Sequence, residues 1–237
     1  MRTNRNRIEI DGDVIRRFPV HLEDQLQLTQ AAARQEAARQ AGLPVPAIIG
    51  VVTGGTSPHL VMERVRATPV VETDLDPRAE RHLGAELARF AAHMRSVTAW
   101  ADPDPDPDWA TLWQVLARVA PTPECLAAAE VAAAVRTTLV HGDLSWGNLL
   151  VDTHGGLVAV IDWDAAALAD PAMDWAALGA NLAPTVVAEL RRLTPEAAEL
   201  DRRAQIYLAT WPVQNALWRD GDHPWLSGGR PLAEPRL

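Results

Sequence analysis

The chain has 237 residues, 48% of them hydrophobic, and a formal net charge of −9, enough material for one large domain or two small lobes around a cleft. The acidity argues against nucleic acid as a partner, because phosphate backbones demand the opposite sign. No apolar run nears the eighteen or more residues of a membrane span, and no apolar signal core follows the first five residues, so no membrane partner is expected and the expected compartment is the cytoplasm.

Taken in chain order, Arg7 to Ile10 and Asp13 to Phe18 read as two strands joined at Asp11-Gly12, and Leu22 to Ala41 as a helix ended by Gly42 and Pro44. Ala47 to Val52 and His59 to Val65 form a hairpin across the Gly/Ser/Pro-rich residues 53–58, which completes a small antiparallel lobe with one helix, residues 1–65. Residues 66–237 read as a larger, mainly helical lobe, giving an α+β chain of two lobes. Pro77 to Trp100 carries Leu83, Leu87, Phe90, Met94 and Val97 at helical spacing, a stripe suited to a core. The alternating Asp and Pro of 102–108 make a stiff acidic connector inside this lobe. Trp109 to Ala120 and Pro123 to Arg136 read as helices; Cys125, the only cysteine, sits in the second and reads as a small buried hydrophobe with no disulfide partner. After a hairpin at 139–164, Met173 to Leu182, Pro184 to Leu193 and Pro195 to Trp218 read as helices, ending at Asp220-Gly221-Asp222.

Charge is unevenly placed. Residues 1–65 carry 8 Arg against 7 acids, and the remainder 14 Arg against 24 acids. An acidic second lobe either steers a cationic small molecule inward or only keeps the chain soluble.

The chemistry concentrates between Leu139 and Asp164. Leu149 to Val151 and Leu157 to Ile161 flank Asp152 to Gly156, the pattern of a β-hairpin. With the loop centred near Gly155, Asn148 and Asp162 lie seven residues to either side, so they are expected to face each other across the ladder, roughly 5 Å apart. A carboxamide oxygen opposite a carboxylate is a hard-oxygen site that suits magnesium. Asp143, on the loop entering the hairpin, is placed to take the proton of an incoming hydroxyl. One base plus an Asn and an Asp for metal is the inventory of phosphoryl transfer.

His141-Gly142-Asp143 with Asn148 five residues on, followed by Ile161-Asp162-Trp163-Asp164 and by Ala169-Asp170-Pro171-Ala172-Met173-Asp174-Trp175, resembles the loops of the aminoglycoside phosphotransferase family. The resemblance is strong over 139–176 and weaker elsewhere. It implies a bilobal protein-kinase-like fold and use of Mg2+ with ATP or GTP. By the same resemblance, His141 supports the loop through hydrogen bonds, Asp174 braces it from the following helix, and Met62, Glu63 and Val65 match the hinge that holds the base. Met62 reads equally well as ordinary core.

The resembled family grips the nucleotide phosphates with a strand lysine paired to a helix glutamate, and all 22 basic residues here are arginine. Arg16 is the expected substitute, with Glu36 as its partner and Arg17 as competitor; strand alternation lets only one of the two arginines point into the cleft. The glycine-rich phosphate cover is also poorly represented, which leaves open a minimal cover, a recorded start that lies too late, or degenerate nucleotide binding. Only seven residues, Asp164 to Asp170, separate the metal motif from Asp-Pro, too few for a peptide platform, so the acceptor is expected to be a small molecule. Asp220, Asp222 and Glu189 are possible acceptor carboxylates; of Trp163, Trp175, Trp211, Trp218 and Trp225, most read as packing. The resulting expectation is a phosphotransferase acting on an alcohol group of a small molecule, by resemblance an antibiotic of aminoglycoside, peptide or macrolide type. The alternatives are a metabolite kinase for a sugar, choline-like or amino alcohol substrate, or an inactive nucleotide-binding pseudokinase. No protein partner is signalled.

Overall fold

The computed structural model describes residues 6–19, 25–53, 55, 57–100, 109–135 and 137–219. Four strands, β1 (Asn6–Asp11), β2 (Val14–Pro19), β3 (Ile48–Val52) and β4 (His59–Glu63), form an antiparallel sheet in the order β1-β2-β4-β3. Gly12 makes the first turn possible with φ +59°, a region open to glycine and strained for other residues.

Helix α1 (Gln25–Gln40) covers one face of this sheet, where Leu28 and Ala32 pack on Leu60 and Met62. It stops at Gly42 in a Schellman turn: Leu43 N–H reaches Ala38 O at 3.2 Å and Gly42 N–H reaches Arg39 O at 3.0 Å, with Gly42 at φ +83°.

The larger lobe is built on α2 (Pro77–Ser96), whose Asp76 cap accepts the N–H groups of Arg78 and Ala79 and whose Leu83, Leu87, Phe90 and Met94 are buried as a stripe. Helix α3 (Trp109–Val119) packs on α4 (Pro123–Ala134), α5 (Ala172–Asn181) shares the same core, and α6 (Pro184–Leu193) packs along α2. Cys125 is buried in α4.

The helix expected over Pro195 to Trp218 is two helices, α7 (Ala197–Ala209) and α8 (Trp211–Arg219). Pro212 has no N–H to continue the ladder and its ring opposes the carbonyl of Leu208, so the chain turns at Thr210, whose hydroxyl donates to Tyr207 O at 2.6 Å. An antiparallel sheet lobe with one helix, followed by a larger helical lobe, is the bilobal kinase-like arrangement.

Three short strand pairs carry the functional loops. Strand β5 (Thr68–Pro69) pairs with β7 (Leu149–Val151), β7 pairs with β8 (Leu157–Val160), and β6 (Thr138–Val140) pairs with β9 (Ala167–Ala169). The β7–β8 turn is closed by Asp152, whose Oδ1 accepts the N–H groups of His154 and Gly156.

The register differs from expectation. Leu149 faces Val160 and Leu150 faces Ala159, but Val151 faces Leu157, so Val158 is an extra residue on β8. Asn148 therefore lies opposite Ile161, with the Ile161 N–H on Asn148 O at 3.0 Å, and Asp162 falls one residue beyond.

Candidate functional site

The loop from β6 to β7 carries His141, Asp143 and Asn148. Asp174, in the first turn of α5, accepts the backbone N–H of His141 at 2.6 Å and of Gly142 at 3.0 Å. Burial pushes its carboxyl above the ordinary range, against the opposing pull of His141 and these two N–H groups. His141 is fully buried. Its Nδ1 accepts from Asp143 N–H at 3.2 Å, which puts the ring proton on Nε2, 3.0 Å from Ile161 O. Its ring meets Trp163 edge-on at 4.8 Å. Both side chains hydrogen-bond to backbone, Asp174 to the loop and His141 to the loop and to Ile161.

Gly142 sits between them at φ +77°, and a Cβ there would lie 2.6 Å from Ala165 O and 2.9 Å from the Trp109 ring. Trp109 also donates Nε1–H to Ala165 O at 3.2 Å, so α3 clamps the His141–Asp143 loop onto the segment after Asp162. Sequence patterning had given Trp109 no role beyond starting a helix.

The Asn148 amide nitrogen donates to Asp143 O at 2.7 Å and to Asp143 Oδ2 at 3.2 Å. Turning the amide nitrogen to Asp143 leaves Asn148 Oδ1 as its acceptor for a cation. Asp162 leaves the β8 ladder in the left-handed conformation, φ 66° and ψ 60°, the one non-glycine residue with positive φ among the described residues. Such a conformation at a carboxylate is strain of the kind that functional sites retain. A single 3-10 turn, Trp163–Ala165, and then β9 complete the path to Asp170, so the segment folds straight back onto β6.

Arg17, not Arg16, enters the cleft. Arg17 lies opposite Leu60 on β4, and Ile15 opposite Met62, which places Arg17 on the face that α1 covers. It is 8% exposed. Its Nη1 donates to Asp164 Oδ1 at 2.8 Å, its Nη2 contacts Asp164 Oδ2, and Asp162 Oδ1 lies 3.6 Å from Nη1, inside ion-pair range. Arg16 lies on the other face, opposite Glu9 and Val61, and bonds Asp11 at 2.8 Å.

The expected Arg16–Glu36 pair is likewise corrected. Glu36 accepts from Arg39 and Gln40 one turn on, and the Arg39 hydrogen bond leads in lowering its carboxyl to about 2. Arg34, which sequence reasoning passed over, donates to Asp164 O at 2.7 Å.

Met62 is buried in the first-lobe core with Leu28, Ala32 and Leu60. Glu63 N–H is committed to Ala47 O, and Arg64 N–H to Asp13 O, both at 2.9 Å. Val65 and Glu63 line an open cavity of about 610 Å³ with Pro44, Pro46, Arg66 and Val158. Glu189 is paired with Arg192 on α6, and Trp163, Trp175 and Trp211 are buried packing residues. Asp220, Asp222 and Trp225 lie outside the described residues, as does the Trp218 side chain. No group of three or more His, Cys, Asp or Glu suited to a metal occurs among the described residues, and none of their helices is long and apolar enough to cross a membrane.

The sequence profile of the Phosphotransferase enzyme family matches residues 3–213. Viomycin phosphotransferase of Streptomyces vinaceus is 34% identical over 110 residues, a stretch covering 44% of this chain and 38% of that protein. Among solved structures, the GDP complex of wild-type aminoglycoside 2'-phosphotransferase-IIIa superposes with a TM-score of 0.68 at 15% identity, covering 96% of this chain and 87% of the other. The macrolide 2'-phosphotransferase of Brachybacterium faecium gives 0.60 at 18% identity, covering 98% and 92%. With its profile matched over most of its length and its fold shared with these enzymes, the chain belongs to the phosphotransferase enzyme family, the aminoglycoside phosphotransferase family that its loops resemble.

Proposed function

We propose that this protein is a magnesium-dependent kinase that moves the γ-phosphate of ATP or GTP to a hydroxyl of a small molecule. The observation that carries the reading is the hydrogen bond from the Asn148 amide to both Asp143 oxygens named above, with Asp162 held in a strained turn beside them. Base and metal ligand form one unit. Asp143 accepts the acceptor's hydroxyl proton, or orients that hydroxyl in line with the γ-phosphate. Asn148 Oδ1 and the Asp162 carboxylate are hard oxygens that fit magnesium, which supplies neutralisation of the phosphate oxygens when bound.

Arg17 takes the role expected of Arg16 at the nucleotide phosphates. Its sheet face looks onto the metal loop, because the same side chain reaches Asp164. On that face Ile8 and Ile10, opposite Arg17 and Ile15, stay 50% and 58% exposed, an apolar ledge suited to a purine base. With the Glu63 and Arg64 N–H groups already donated, Val65 is the hinge residue whose main chain meets the base edge. In this reading residues 1–65 hold the nucleotide and 66–237 the acceptor, and nucleotide donors place the enzyme in the cytoplasm.

For the acceptor we favour a basic peptide antibiotic of the viomycin kind. The identity to viomycin phosphotransferase and the excess of 24 acids over 14 Arg after residue 65 support a cationic acceptor. The test is mass spectrometry for an added phosphate across viomycin, aminoglycosides, macrolides and hydroxylated metabolites, with Mg-ATP and Mg-GTP. Transfer to viomycin by the wild type, abolished in Asp143→Ala with nucleotide binding retained, is the expected result. Transfer to metabolites alone, or undiminished turnover by Asp143→Ala, contradicts it.

A further inference from the structure

A phosphate-gripping cation is useful only if something fixes its direction, and among the described residues the acid that does so is Asp164, beyond the hairpin. The single acid of α1 is Glu36, which is occupied by Arg39 and Gln40. Arg17 is instead held across the cleft by both carboxylate oxygens of Asp164. Asp164 is in turn fastened by its backbone, whose carbonyl accepts from Arg34 of α1 at 2.7 Å.

We propose that Asp164 is the positioning residue for Arg17, setting its guanidinium toward the nucleotide phosphates and doing so from the metal loop. The inference rests on the kinase reading above. A bidentate carboxylate fixes both the position and the plane of a guanidinium, which a single contact does not. With both Asp164 oxygens on Arg17, its task is separate from that of Asp162, which is 3.6 Å from the same Nη1. Asp162 Oδ1 is within ion-pair range of the same guanidinium, so loss of Asp164 leaves that contact to draw Arg17 toward the position a cation needs. Phosphate grip and metal loop then move as one piece with α1, since Arg17 and Arg34 reach Asp164 from two first-lobe elements.

The experiment is a double-mutant cycle on the full chain, with equilibrium binding of Mg-ATP and Mg-GTP as the readout and a melting curve for each variant. Asp164→Asn is expected to weaken nucleotide binding about tenfold. In an Arg17→Ala background the same change is expected to do almost nothing. Asp164→Glu, which keeps the charge, should recover most of the loss, and Asp164→Ser replaces Asn in the cycle if the Asn variant fails to fold. Equal losses in both backgrounds, as from a direct metal ligand, overturn the assignment, as does an Asp164→Asn variant that binds like the wild type. A wild type that binds neither nucleotide overturns the kinase reading itself, and this inference with it.

Discussion

Removing the Asp174 carboxylate tests whether the loop from His141 to Asn148 is held from behind. In Asp174→Ala, the His141 and Gly142 N–H groups lose their acceptors inside the protein. An unsatisfied buried donor costs about 1–3 kcal/mol, so the pair amounts to roughly 3 kcal/mol once partial relaxation is allowed. For a chain of this size that is a fall in melting temperature of about 6–12 °C. Asp174→Asn keeps the shape and one carbonyl oxygen, and is expected to lose about half as much. A pH series adds an independent check.

The folded carboxyl titrates above its unfolded value of about 3.9. The stability from its protonation is therefore complete below that value and lost as pH rises through the raised folded value. The Asn variant lacks this term, so the gap between wild type and Asn should be widest in acid and shrink as pH rises. An Ala variant melting within about 2 °C of wild type would mean that the loop does not depend on Asp174.

Gly142→Ala forces a Cβ against Ala165 O and the Trp109 ring at φ +77° and is expected to lose about 2–4 kcal/mol; Gly179→Ala, with nothing within 4 Å in α5, should be neutral or stabilising by up to about 1 kcal/mol. Equal melting temperatures for these two variants contradict the close approach. Arg17→Ala should weaken Mg-nucleotide binding about tenfold while Arg16→Ala stays within about twofold, measured by calorimetry; matching losses contradict the strand register. Glu199 is pulled down to about 2, first by the Arg202 hydrogen bond and then by Arg203, so its contribution to stability is complete above about 4.3 and lost as pH falls toward 2. Carbon NMR of its carboxyl should show a midpoint near 2, and an ordinary midpoint would remove the Arg pair as the cause.

Local pattern was enough wherever one element carries its own signal. The α2 stripe from Leu83 to Met94, the Gly42 stop and the Asp152-to-Gly156 turn depend on residues a few positions apart, and each stands where periodicity or turn chemistry puts it. The candidate site at 139–164 stood out in the sequence because its polar residues crowd onto short apolar strands with no core role to explain them. The break at Thr210 was available in the sequence at Pro212, but the apolar spacing across it favoured one long helix. The bulge at Val158 was not available. Val151 faces Leu157, so the hairpin turns about His154 and not Gly155, and the bulge restores only one of the two residues of register this costs, which leaves Asp162 one position beyond the partner of Asn148.

The choice between Arg16 and Arg17 failed for the same physical reason on a longer scale. Val14 and Ile15 are both apolar and Phe18 follows, so neither phase of the strand is cleaner than the other. What decides the phase lies elsewhere: Leu60 and Met62 on β4 must meet Leu28 and Ala32 of α1, and their cross-strand neighbours Arg17 and Ile15 are carried to that face with them. Arg16 is sent outward to Asp11 by the same constraint. The acid awaiting Arg17 then comes from 147 positions along the chain, where nothing local marks Asp164 as its partner. Because first-lobe packing chooses the arginine and the segment after β8 supplies its carboxylate, the Arg17–Asp164 pair is not specified until the two lobes are together. Substitutions that leave both lobes intact but shift α1, such as Leu28→Ala, are for that reason expected to disturb nucleotide binding without touching a ligand.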